Sequence, residues 1–103
     1  MALKEKILND MKEAMKNKDE LRLRVLRSVK SAIGYFEVEG EKKVATDEDV
    51  QKLILKEIKK RQESVEAYRN AGREDLAKNE EEELMILQEY APKMLSREDI
   101  QKI

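Results

Sequence analysis

Between Val50 and Tyr90 the apolar residues recur every three to four positions, and ionisable residues share their faces. On an ideal helical wheel Val50, Ile54, Ile58, Val65 and Tyr68 form one stripe, with Arg61 inside it. Leu76, Leu84, Leu87 and Tyr90 form a second, with Glu80 and Glu83 within it or on its border. A charge on a buried face is costly unless it is paired. Such a sequence therefore needs two helices packed face to face, with the cation of one near a carboxylate of the other. An Arg fork matches a carboxylate well, so an internal pair of Arg61 with Glu80, Glu83 or both is the structural reading. Arg73 is a second cation for those two carboxylates, and Glu57, four residues before Arg61, is a local competitor. The functional reading of Arg61 is an anion site in a cleft.

The rest of the chain follows the same period. Leu3, Ile7, Leu8, Met11, Ala14 and Met15 predict a first helix over residues 2–16. Asp19 is the expected N-cap of a second helix reaching about Val38, with Leu21, Val25, Leu26, Val29, Ala32, Ile33 and Phe36 as its stripe. Gly34 inside it marks close packing or a bend. Residues 39–45 form the longest loop, and Thr46 with Asp49 resembles a capping box opening the third helix. Ala71-Gly72 ends that helix, and a fourth covers about residues 74–89 before Pro92. Ser96-Arg97-Glu98-Asp99 reads as the N-cap of one more helix. The fold expected is all-α: a small bundle of four helices in two antiparallel pairs over residues 1–92, with a linker and the first turns of a C-terminal helical tail domain at 93–103.

Composition narrows the chemistry. The chain has 103 residues, no Cys and no His. Disulfides, thiolate sites and the commonest general base and metal ligand are therefore excluded. No Gly-rich phosphate loop or nucleophile elbow occurs. An E-x-x-E pair such as Glu80 and Glu83 can serve acid–base or metal chemistry, but di-metal bundles normally add His. No catalytic residue, metal or cofactor is assigned. No apolar run approaches the roughly 18–20 residues of a membrane span, so the default location is the cytoplasm.

Charged residues make up 44% of the chain, yet the net charge is −1, so a nucleic-acid surface would have to be local. The candidates are Arg24, Arg27 and Lys30, opposite the stripe of the second helix, and Lys52, Lys56, Lys59 and Lys60 on the outer arc of the third. Basic side chains on one face can contact phosphates. The competing reading is a solvated face balanced by neighbouring Glu. Phe36, Tyr68 and Tyr90 fall on or near core stripes, which argues against single-strand stacking platforms and for folded RNA read through its phosphates.

The residues Lys59-Lys60-Arg61-Gln62-Glu63-Ser64, Ala71-Gly72-Arg73-Glu74-Asp75-Leu76-Ala77, Glu80, Glu83-Leu84, Leu87 and Tyr90-Ala91-Pro92-Lys93-Met94-Leu95-Ser96 resemble the GatB/YqeY domain family. Leu23-Arg24-Val25-Leu26-Arg27-Ser28-Val29-Lys30-Ser31-Ala32-Ile33 resembles the family's second helix. The likeness runs over nearly the whole chain, with Ala91 standing where Leu is more usual. It implies that the chain covers about the first two-thirds of the family pattern. It also implies a stand-alone relative of the tRNA-holding appendage on the GatB subunit of tRNA-dependent amidotransferase. The expected partners are tRNA, the amidotransferase or an aminoacyl-tRNA synthetase. Two alternatives stand beside this: an amidotransferase-related carbon–nitrogen ligase using glutamine, by family association only, and a protein–protein adaptor without RNA contact.

Overall fold

The structure is a computed structural model that describes residues 2–39 and 44–91. Four helices account for it: α1 (Leu3–Lys16), α2 (Glu20–Glu39), α3 (Asp47–Asn70) and α4 (Glu74–Gln88). No strand occurs among the described residues, and the fold is all-α. The expected tail at 93–103 lies outside the described residues.

Each helix end has a local cause. Asp19 caps α2, its Oδ1 accepting from the Arg22 N–H at 3.1 Å. Thr46 and Asp49 exchange side-chain-to-backbone bonds, both 3.1 Å, in a full capping box. α1 lacks a cap from its own Ala2. Asp47 of α3 supplies one, accepting from the Leu3 N–H at 2.9 Å, so the start of α1 is tied to the start of α3. The α3–α4 connection is three residues long. Gly72, at φ 76°, donates to the Arg69 carbonyl at 3.0 Å, and Arg73 donates to the Tyr68 carbonyl at 2.8 Å. That Schellman reversal returns α4 directly onto α3.

α1 packs on α2 and α3 on α4, and α2 crosses between the pairs. Ile7 of α1, Val25, Leu26, Val29 and Ile33 of α2, Val50, Ile54 and Ile58 of α3, and Ile86 and Leu87 of α4 make one continuous core. Tyr90 closes it. Its ring is buried, its hydroxyl donates to Asp10 of α1, and the Lys6 ammonium sits 5.5 Å from the ring centre. Beside it the Arg22 guanidinium meets both Glu89 oxygens, at 2.9 and 3.2 Å.

Phe36 is 36% exposed and Tyr35 72% exposed, so the last turns of α2 run past the core that buries Ile33. Phe36 is therefore a rim residue rather than a full member of the stripe. Nothing lies within 4 Å of a Cβ built at Gly34, so that glycine serves no close packing within the described chain.

Two glycines should consequently respond in opposite directions. Gly72→Ala meets no steric contact but must hold a left-handed conformation, and should cost about 1–2 kcal/mol. Gly34→Ala, in an open helix interior, should stabilise by roughly 0.5–1 kcal/mol. Thermal melts of both variants read this, at about 4–8 °C per kcal/mol. A neutral Gly72→Ala would contradict the reversal described here.

The pH profile should have two limbs. The Lys4 ammonium and the Ala45 N–H hold the Glu37 carboxyl below its usual range, and Arg22 does the same for Glu89. The stability they contribute is present above the unfolded value, about pH 4.3, and is lost as pH falls through the depressed values. Burial, with the bond to Asp10, pushes the Tyr90 hydroxyl up. Its contribution is complete below about pH 10 and is lost as pH rises through the raised value. Denaturant midpoints against pH should show both limbs, and Tyr90→Phe should weaken the alkaline one alone. An unchanged alkaline limb in that variant would show that the hydroxyl is not held as described.

Candidate functional site

The polar centre of the molecule is built on Arg61. Its side chain is 13% exposed, and those of Glu57 and Glu83 are 12% and 13% exposed. Arg61 Nη1 donates to Glu57 Oε1 at 2.7 Å, one helical turn back on α3. Its Nε donates across the hairpin to Glu83 Oε1 of α4 at 3.1 Å. Glu83 Oε2 accepts in turn from Arg24 Nε and Nη2 of α2, at 3.3 and 3.1 Å. Glu57 Oε1 also accepts from Ser28 Oγ of α2 at 3.3 Å, and its Oε2 lies 3.7 Å from Lys60 Nζ. Three helices thus meet on one hydrogen-bonded cluster.

Burial by itself would lower the basicity of the Arg61 guanidinium. The bonds and charges of Glu57 and Glu83 outweigh it and hold Arg61 above its ordinary value. Both carboxylates are therefore committed to cations. Glu80 is half-buried and makes no ion pair among the described residues. Arg73 turns to Asp75 of its own turn, at 3.1 Å, and does not reach Glu80 or Glu83. Among the described residues no group of three or more His, Cys, Asp or Glu is placed to hold a metal ion, and no helix is long and apolar enough to cross a membrane.

The candidate basic residues divide into three sets. Arg24 and Lys60 are tethered to the cluster while their side chains stay 63% and 70% exposed. Arg27 on α2 and Lys52, Lys56 and Lys59 on α3 are exposed, with no ion pair among the described residues. Arg27 is alone among the described arginines in this respect, because Arg22, Arg24, Arg61, Arg69 and Arg73 all hold carboxylates. Lys30 stands apart. It lines a groove on the far flank of α2, against α1, with Ile7, Leu8, Ile33 and Gly34. A second groove, between α2 and α3, is lined by Tyr35 and Phe36 on one side and Lys56 and Lys60 on the other. Wheel positions alone gave no sign of the aromatics here, because they do not show where a helix outruns its core.

The profile of the family described as "Yqey-like protein" matches residues 4–103. The chain belongs to the YqeY-like protein family. This family is related to the C-terminal region of GatB. The chain is 37% identical over 82 residues to "Altered inheritance of mitochondria protein 41, mitochondrial" of Pyrenophora tritici-repentis, covering 80% of this chain and 45% of that protein. An uncharacterized protein of Schizosaccharomyces pombe is 34% identical over 94 residues, covering 91% of this chain and 72% of its own length. The mitochondrial protein of the same name in Vanderwaltozyma polyspora is 33% identical over 81 residues, covering 79% of this chain and 44% of itself. The chain thus spans less than half the length of the mitochondrial relatives named here. Their names correct one expectation. The cytoplasmic default gives way, since relatives at this similarity are mitochondrial proteins by name.

The cluster makes a quantitative prediction. Arg61→Met leaves Glu57 and Glu83 half-partnered in a low-exposure site and should cost about 3 kcal/mol, at the low end for a broken buried pair. Glu83→Ala should cost less, because Glu57 still holds Arg61 and Arg24 can turn to water. A joint Arg61→Met, Glu83→Leu replacement should be milder than the sum of the singles. Denaturant melts decide it, and single variants within about 0.5 kcal/mol of the parent would show that the cluster is not buried in effect.

Proposed function

We propose that this domain is an accessory module of translation that binds folded RNA of the tRNA class through phosphates, over the exposed face of α2 and α3. The observation that carries the reading is Arg27, the one described arginine without an ion pair among the described residues, on helices that also carry the exposed and unpaired Lys52, Lys56 and Lys59 and the tethered Arg24 and Lys60. An exposed Arg with no internal partner keeps its planar fork for an outside anion, and phosphate suits that fork. Arg24 adds a guanidinium whose position is fixed by Glu83, so less side-chain freedom is lost on contact. The kinship with the GatB C-terminal region directs the choice of RNA toward tRNA. Lys30 is outside this surface because it faces the α1 groove.

A protein–protein adaptor is the competing reading, and Tyr35, Val38, Val44 and Leu55, all exposed, favour it. Salt separates the two. Phosphate contacts release counterions, so affinity should fall steeply with added salt, whereas apolar docking should not. Arg27→Glu with Lys59→Glu should weaken binding of unfractionated tRNA at least tenfold and flatten the plot of log affinity against log salt by about 2. The helical circular dichroism should not change. Equal affinity and slope in the double variant would remove this face from RNA binding.

A further inference from the structure

The groove between α2 and α3 carries chemistry that phosphate contact alone does not use. Its lining is Ala32, Tyr35, Phe36 and Glu39 from α2 and Leu53, Lys56, Glu57 and Lys60 from α3, around a volume of about 310 Å³. That is at the low end of small-ligand pockets. The chain has four aromatic residues in all, three Tyr and one Phe. Two of them, adjacent in sequence, line this opening. Tyr35 at 72% exposure is poorly used if packing is its purpose.

The groove brings polar groups of both signs together. Glu57 accepts from Ser28 and Arg61 and lies 3.7 Å from Lys60, so that carboxylate is already engaged. Lys56 has no ion pair among the described residues and Lys60 is 70% exposed, so both ammonium groups remain open to an anion. Glu39, the last residue of α2, adds a second carboxylate to the lining. Cations, a carboxylate and aromatic surface thus share one opening. A bare polyanion uses only the first. An apolar peptide uses only the third. A nucleotide uses all three: phosphate at Lys56 and Lys60, base against Tyr35 and Phe36, and an exocyclic amine or ribose hydroxyl donating to Glu39.

We infer that the α2–α3 groove is a subsite for an unpaired nucleotide of RNA, held by stacking on Tyr35 and Phe36 and by its phosphate at Lys56 and Lys60. This rests on the RNA reading above and refines it: the phosphate face docks the folded RNA while the groove takes a base that is not stacked in a helix. The expectation that aromatics play no stacking role, drawn from their wheel positions, is replaced by their placement at the rim.

The test uses the full chain with two probes of comparable charge, a hexaadenylate RNA and a polyphosphate lacking bases. Tyr35→Ala should weaken the hexanucleotide about tenfold and leave polyphosphate binding unchanged, since stacking is lost and charge is kept. The parent chain has no Trp, so Tyr35→Trp introduces a single indole reporter at the groove. That variant should bind at least as tightly as the parent, with its emission quenched as the hexanucleotide saturates. Lys56→Gln with Lys60→Gln should weaken both probes and flatten the salt dependence by about 1.4 for single-stranded RNA. Parent-like hexanucleotide binding by Tyr35→Ala, equal losses of both probes, or unquenched emission from the Tyr35→Trp variant at saturation would each overturn the subsite. If Tyr35→Ala is neutral while Arg27→Glu with Lys59→Glu loses tRNA, the groove assignment fails and the phosphate face stands. If the parent chain binds neither tRNA nor hexanucleotide, both readings fail.

Discussion

Arg61 organises this domain. It sits on the face of α3 that must be buried for the two helix pairs to close, and its charge persists at every accessible pH. Burial is tolerated because two carboxylates come to it, one from its own helix at 2.7 Å and one from α4 at 3.1 Å. Those carboxylates also bind Arg24 and Ser28 of α2. A guanidinium offers donors in fixed directions, so the contact specifies how α2, α3 and α4 are rotated about their axes as well as how near they lie. Apolar packing against Ile54, Leu26 and Leu87 supplies driving force with far less directional demand.

The same contact shapes the surface. Glu57 and Glu83 are turned inward onto Arg61, and at the surface each meets one further cation, Lys60 for Glu57 and Arg24 for Glu83. Other carboxylates are also committed: Glu89 to Arg22, Glu74 and Glu81 to Arg69, and Asp75 to Arg73. A chain of net charge −1 still carries cations without an ion pair among the described residues, Arg27, Lys52, Lys56 and Lys59 among them. Local charge, rather than net charge, is what an approaching phosphate backbone meets within a Debye length of about 10 Å.

Much of this was legible in the sequence because helical period and cap chemistry are local. Thr46 with Asp49, Asp19 and Gly72 each mark a helix end where the backbone reverses or starts. The need of Arg61 for a carboxylate was legible too, since a cation within an apolar stripe has few outlets. Which carboxylates lie near it depends on the rotation of α4, which puts Glu83 against Arg61 and leaves Glu80 without an ion pair among the described residues. That is a tertiary property with no local signal. Lys30 and Phe36 illustrate the same limit. A wheel gives the angle of a side chain about one helix, but the flank to which Lys30 belongs depends on where α1 lies. Whether Phe36 is covered depends on how far the core extends along α2.

The central claim is that the functional face is the outer side of α2 and α3. Backbone amide chemical shifts followed while unfractionated tRNA is added test it directly. The account predicts saturable, salt-sensitive shifts concentrated between Arg24 and Phe36 and between Lys52 and Lys60, with the amides of α1 and of the second half of α4 little changed. Shifts confined to α1 and the end of α4, or none at concentrations that saturate a known tRNA-binding domain, would contradict it.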